Sequence, residues 1–104
     1  MFTQIKPCTS AIRGKVIDKE TQKPLSFAMV MLFNKFNKND IRRKIIDKDG
    51  NFIFQNIENG YYTIGSVGVK YKPLIIRWIK HDGISDISVD LLLVMHNFEK
   101  SWFH

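Results

Sequence analysis

The chain contains a single cysteine, Cys8, so no internal disulfide framework exists. Ile5-Lys6-Pro7 stands ahead of it with no apolar run, which reads as a free thiol near a loose end and not as a lipid-modified cysteine. Long hydrophobic runs are absent too. No stretch approaches the roughly 20 apolar residues needed to span a bilayer, and MFTQIKPCTS lacks the apolar centre of a signal peptide. An integral membrane segment is thereby excluded as an expectation. Two locations stay open: the cell envelope or export, if the chain is a mature or trimmed piece, and otherwise the cytoplasm.

Catalytic and metal motifs are equally scarce. His81, His96 and His104 are far apart, match no ligand spacing and read as surface or tail residues, and no serine sits in a G-x-S-x-G context. Glu20 and Glu58 fall in turns, where solvated caps are the expected role. No enzyme activity, metal site or cofactor is expected. Calcium needs separate treatment, because Asp47, Asp49, Asn51 and Glu58 reproduce positions one, three, five and twelve of an EF-hand loop. Phe52 occupies the sixth position, where that loop needs glycine. A hairpin turn explains the same residues.

Acidic residues are in deficit, ten against sixteen Lys and Arg, for a formal net charge of +6. Much of the excess lies in one segment, with Lys35, Lys38, Arg42, Arg43, Lys44 and Lys48 against Asp40 and Asp47. No aromatic platform alternates with these residues along the chain, so a solvated charged hairpin is expected and nucleic acid is not.

What is present is a β pattern. With 104 residues the chain has room for one domain, and folding at this size buries roughly 60 to 70% of the unfolded surface. In AIRGKVID, Ile12, Gly14 and Val16 alternate with Arg13 and Lys15. Between Asp47 and Tyr62, the turns Asp49-Gly50-Asn51 and Glu58-Asn59-Gly60 bracket Phe52, Phe54 and Ile57, which are expected inside with Tyr62 and Ile64. Ile41, Ile45 and Ile46 define another strand, and Leu74 to Ile79 a further one. Gly65 and Gly68 suggest a bend or bulge. DISVDLLL directs Ile87, Val89, Leu91 and Leu93 inward. Seven strands at short spacing leave no room for crossover helices, which favours a β-sandwich. The expected organisation is an N-terminal arm over 1–10, a sandwich over 11–94 and a tail over 95–104.

The spaced residues Gly14-x-Val16-x-Asp18, Thr21, Pro24-Leu25, Ala28-x-Val30-x-Leu32, Asp47-x-x-Gly50-x-Phe52-x-Phe54 and Ile57-x-x-Gly60-x-Tyr62-x-Ile64, with Tyr71, resemble the carboxypeptidase regulatory-like domain family. Lys23 and Lys70 stand where the family often has glycine. The resemblance implies a transthyretin-like, seven-stranded antiparallel Greek-key sandwich. It also implies a noncatalytic structural or protein-interaction module, of the kind found in bacterial cell-envelope proteins, and it brings no catalytic residues with it.

One strand breaks the rule of a polar outer row. In FAMVMLF, Ala28, Val30 and Leu32 are expected to face the core, which places Phe27, Met29, Met31 and Phe33 outside. Two covers are weighed. A short C-terminal helix could present Met95, Phe98 and Trp102, or the row could meet another protein or a second copy. The competing class is a carbohydrate- or peptide-binding module, with Tyr61, Tyr71, Trp78 and Trp102 as aromatic candidates.

Overall fold

In the computed structural model of the chain, residues 10–96 are described, and they form eight strands and no helix. The strands are β1 (Ala11–Asp18), β2 (Met29–Asn34), β3 (Ile41–Ile45), β4 (Asn51–Gln55), β5 (Gly60–Val67), β6 (Leu74–His81), β7 (Asp86–Ser88) and β8 (Leu91–Leu93). They make two layers. One sheet runs β3-β2-β5-β6, and in the other β1 lies between β4 on one side and β7 and β8 on the other.

The period-two pattern becomes a core where it was expected. Ile12 and Val16 from β1, Val30 and Leu32 from β2, Phe52 and Phe54 from β4, and Tyr62 and Ile64 from β5 are all buried, with Leu91 and Leu93 closing the far side. Each fully buried large apolar side chain contributes about 1.5 to 3 kcal/mol. Asp-Gly turns set the register: Gly50 adopts φ 81° and its carbonyl accepts the Val16 N–H at 2.9 Å. That bond ties the β3–β4 turn, which crosses from one sheet to the other, to β1.

Two features differ from expectation. DISVDLLL is divided into β7 and β8, so eight strands replace seven. Both pieces run parallel to β1, whereas an antiparallel sandwich was expected; the remaining pairings are antiparallel. The division falls at Val89-Asp90, where the Val89 N–H donates to Arg13 O at 2.7 Å and the Lys15 N–H to Asp90 Oδ1 at 3.2 Å. The chain arches over Gly14 there, and a side chain on Gly14 would fill the space the arch occupies.

At the C-terminal end, Met95 bridges Tyr71 in extended backbone, and the His96 N–H donates to Lys70 O at 2.8 Å. A helix starting at Met95 is therefore corrected to a strand-like ending, because backbone pairing with residues 70–72 takes up the peptide groups a helix would need. Phe98, Trp102 and His104 lie outside the described residues, as does Cys8 in the proposed arm. Lys70, which stands where a glycine was noted as common, adopts φ 70°, the left-handed region that glycine occupies at least cost.

Candidate functional site

The site is the outer face of the β3-β2-β5-β6 sheet, and cross-strand pairing builds it row by row. Met29 sits between Ile45 and Val67, Met31 between Arg43 and Gly65, and Phe33 between Ile41 and Thr63. Ile75 extends the middle row through its pairing with Gly65. Ile41, Ile45, Val67 and Ile75 are exposed, while Met29, Met31 and Phe33 are half-buried among them. Because Gly65 has no side chain, a depression of about 240 Å³ opens over it between Met31, Phe33, Val67, Pro73 and Ile75.

Phe27 leaves the expected row. Its φ is 61°, its side chain is 85% exposed, and β2 begins only at Met29. The reason is topological. Pro24 bridges Ile17 and the Leu25 N–H donates to Val16 O at 2.9 Å, so the chain is still held by β1 and must turn before it can join the other sheet.

The opposite end of the face is aromatic and basic. The Lys35 N–H donates to Tyr61 O, which continues the β2–β5 pairing, and Tyr61 faces Lys80 on β6. Pairing then slips: Tyr62 meets Ile79 but Ile64 meets Ile76, so β6 carries one extra residue opposite Thr63. This β-bulge places Trp78 at φ 63° and leaves it 59% exposed, a conformation that costs a bulky residue about 1 to 2 kcal/mol. Trp78 packs edge-on against Tyr61 at 5.9 Å, Tyr61 against Phe36 at 6.1 Å, and the Lys35 ammonium lies 4.2 Å from the centre of a Trp78 ring.

The structure thus unites Tyr61 and Trp78 and adds Phe36, Lys35 and Lys80. Tyr71 lies elsewhere. One sequence signal for the bulge exists: the inward residues Leu74, Ile76 and Ile79 step by two and then by three. The glycines taken as bulge candidates, Gly65 and Gly68, do not make it.

The other sequence candidates are occupied by structural work. Asp47 Oδ1 accepts N–H groups from Asp49 and Asn51 at 2.9 and 2.8 Å, which closes the turn; the expected hairpin is corrected to a connection between sheets, because β3 pairs with β2 and β4 with β1. Arg42, assigned to a solvated segment, instead donates to Gln55 O and Asn56 O and joins the edges of the two sheets. His81 is corrected from a surface residue to a fully buried one: Nδ1 accepts the Gly83 N–H at 2.9 Å, so Nε2 carries the proton and donates to Ala11 O at 3.2 Å. A concavity of about 710 Å³ runs from the end of β3 across β4 and β1, near Arg13, Lys15, Lys44 and Asp90. Its charges have both signs, and Arg13 is paired with Asp86 at 2.9 Å.

Tyr71 Oη donates to Asp18 Oδ2 at 2.6 Å, while Asp18 Oδ1 accepts the N–H groups of Glu20 and Thr21. The Tyr71 bond, then the turn N–H groups, holds Asp18 below its ordinary 3.8, and the bond to Asp18 pushes Tyr71 up to about 12. The lowered Asp18 contributes stability that is present above its unfolded value and lost as pH falls through the acid range. The raised Tyr71 contributes stability that is full below 10.0 and lost as pH rises through about 12. The expected result is that Tyr71→Phe is less stable than the native chain at neutral pH and that this difference shrinks on the alkaline arm. Urea midpoints measured across the pH range test it, and a difference independent of pH refutes the coupling.

No family model matches the sequence. No curated relative matches it either. Solved structures match in shape. A protein described as carbohydrate-binding, from Bacteroides uniformis, superposes with TM-score 0.67 at 11% identity, covering 86% of this chain and 43% of that one. The pilus 2b backbone protein of group B streptococcus gives 0.65 at 14% identity, over 88% and 43%. Hydroxyquinol 1,2-dioxygenase of Pseudomonas putida gives 0.64 at 9% identity, over 88% and 58%. The chain has an immunoglobulin-like or transthyretin-like β-sandwich fold. Identities this low carry the fold alone, and the chain spans about half the length of these proteins. Among the described residues no helix is long and apolar enough to cross a membrane, and no cluster of His, Cys, Asp and Glu has the makings of a metal site.

Proposed function

We propose that this chain is a noncatalytic β-sandwich interaction module, of the kind its carboxypeptidase regulatory-like resemblance implies for cell-envelope proteins, and that the outer face of β3-β2-β5-β6 is its contact with another protein chain. One observation carries this reading: Ile41, Ile45, Val67 and Ile75 are exposed in a surface continuous with Met29, Met31 and Phe33. Apolar surface gathered in one patch is a mark of a contact. Methionine adapts to irregular partners, and a second copy offering the same face would meet it by two-fold symmetry.

Replacing the exposed Ile45 and Ile75 with Lys tests the surface without disturbing the core. Thermal stability is expected to stay within about 0.5 kcal/mol of the native chain. Sedimentation should show self-association of the native chain and its loss in the variant, or a photo-reactive residue at Val67 should crosslink a partner that the variant no longer captures. A native chain that stays monomeric and gives no crosslink in its own host overturns the reading.

A second reading is favoured at the other end of the same face, where Tyr61 and Trp78 come together: binding of a carbohydrate. An exposed aromatic ring beside polar groups is what a sugar ring requires, Trp78 supplies it with the half-buried Tyr61 edge-on behind it, and one of the structures sharing this fold is described as carbohydrate-binding.

A further inference from the structure

The aromatic end of the face is also its cationic end. Lys35, just past the end of β2, forms one row with Tyr61 on β5 and Lys80 on β6, and Arg77 and Trp78 lie in the adjoining bulge. A recess of about 290 Å³ next to this row is lined by Lys35, Lys38, Ile41 and Thr63. Among the described residues no salt bridge engages Lys35, Lys38, Arg77 or Lys80. The nearby carboxylate of Asp40 is taken up by Arg42 and by the Asn34 amide. The surface therefore presents positive charge with no acid to neutralise it, next to Phe36, Tyr61 and Trp78.

The backbone supports a dedicated role for Trp78. A strand without the extra residue would keep strict alternation and leave no bulky side chain in the left-handed region; the bulge instead turns the indole to the outer face against Tyr61 and Lys35. Strain of this kind persists where the surroundings hold it and commonly marks a ligand contact.

We propose that this end of the sheet binds an acidic polysaccharide, one bearing carboxylates on its sugar rings. The inference rests on the carbohydrate reading above and adds the ligand's charge. The axial C–H bonds on one side of a pyranose carry partial positive charge and pack on the electron-rich indole of Trp78, which is exposed, with the half-buried Tyr61 ring edge-on beside it. The carboxylates pair with Arg77, whose guanidinium can hold one with two bonds, and with the ammonium groups of Lys35, Lys38 and Lys80. A neutral sugar would use the rings and leave the cations idle. The net charge of +6 favours the approach of such a polyanion from a distance.

The test measures binding of the full chain to polygalacturonate, alginate and hyaluronan, each beside its methyl ester, which keeps the sugar rings and removes the charge. At least one acid form is expected to bind tenfold or more tighter than its ester and to weaken as salt is added. Trp78→Asn, which tolerates the left-handed backbone, should lower that affinity tenfold or more. Arg77→Glu with Lys80→Glu should abolish the preference for the acid form. Both variants should melt close to the native chain, since these side chains are exposed. Equal binding of acid and ester overturns the charge assignment while the carbohydrate reading survives. Absence of binding to all six overturns both. Salt-sensitive binding to single-stranded oligothymidine that exceeds binding to every glycan reassigns the surface to nucleic acid and also overturns the proposal.

Discussion

Gly14→Ala is expected to lose about 3 kcal/mol of stability, the upper end of what forcing atoms into a filled space costs. A Cβ built on Gly14 falls 1.8 Å from Val89 O and 2.7 Å from Val89 C. Both atoms are backbone, so no rotamer change relieves the clash. Relief requires Val89 and Asp90 to lift from β1, which breaks the Val89–Arg13 hydrogen bond and the Lys15–Asp90 bond beside it. The Phe52 ring stands close by as well, with Cζ 3.1 Å from the added Cβ, so the side chain has little room to turn aside. For a domain of this size each kcal/mol shifts the melting temperature by roughly 4 to 8 °C, so a fall of about 12 to 24 °C is expected in a calorimetric scan. Gly65→Ala is the control. Its Cβ meets nothing closer than Met31 Cε at 3.8 Å, and its melting temperature should barely move. If the two variants melt together, the close approach at Gly14 is wrong.

Tyr62→Ala is expected to cost about 3 to 5 kcal/mol, the range for removing a buried aromatic ring. Tyr62 is 1% exposed and is among the largest fully buried side chains of the core. Its hydroxyl donates to Glu58 O at 2.9 Å across the turn that opens β5. Tyr62→Phe keeps the ring and removes only that bond, so a loss of about 1 kcal/mol is expected. Denaturant midpoints of the two variants separate packing from hydrogen bonding. A Phe variant as damaged as the Ala variant would mean that the hydroxyl, and not the ring, holds the turn. Burial also raises the Tyr62 hydroxyl above its ordinary 10.0, so alkaline titration of the folded chain should leave this phenol protonated beyond the point where an exposed tyrosine ionises.

Most of the sandwich was legible because its signals are local. Ile12 and Val16, Val30 and Leu32, Phe52 and Phe54 each announce a buried face through a spacing of two, and Gly50 announces its turn through the residues around it. Tyr61 and Trp78 could be named as aromatic candidates, but their meeting could not be read from positions seventeen residues apart. Trp78 illustrates the limit well. Strict alternation from Leu74 would make Leu74, Ile76 and Trp78 one row, and only the shift to Ile79 hints that the indole has changed sides. His81 was misread because a lone histidine near a turn carries no mark of burial; the partners that bury it, Ala11 and Gly83, are supplied by the fold.

The sequence by itself determined an all-β sandwich, the residues of its core and an apolar outer row on β2, because alternation and turn chemistry act over a few residues. Tertiary structure decided where that row begins, with Phe27 turned away while β1 still holds the preceding chain. It decided the parallel joint that leaves no room beside Gly14, and it brought Lys35, Tyr61, Trp78 and Lys80 together at one end of the apolar face. Those outcomes depend on register between strands far apart in the chain. Register is set by how two sheets close on a shared core, and no local pattern contains that information.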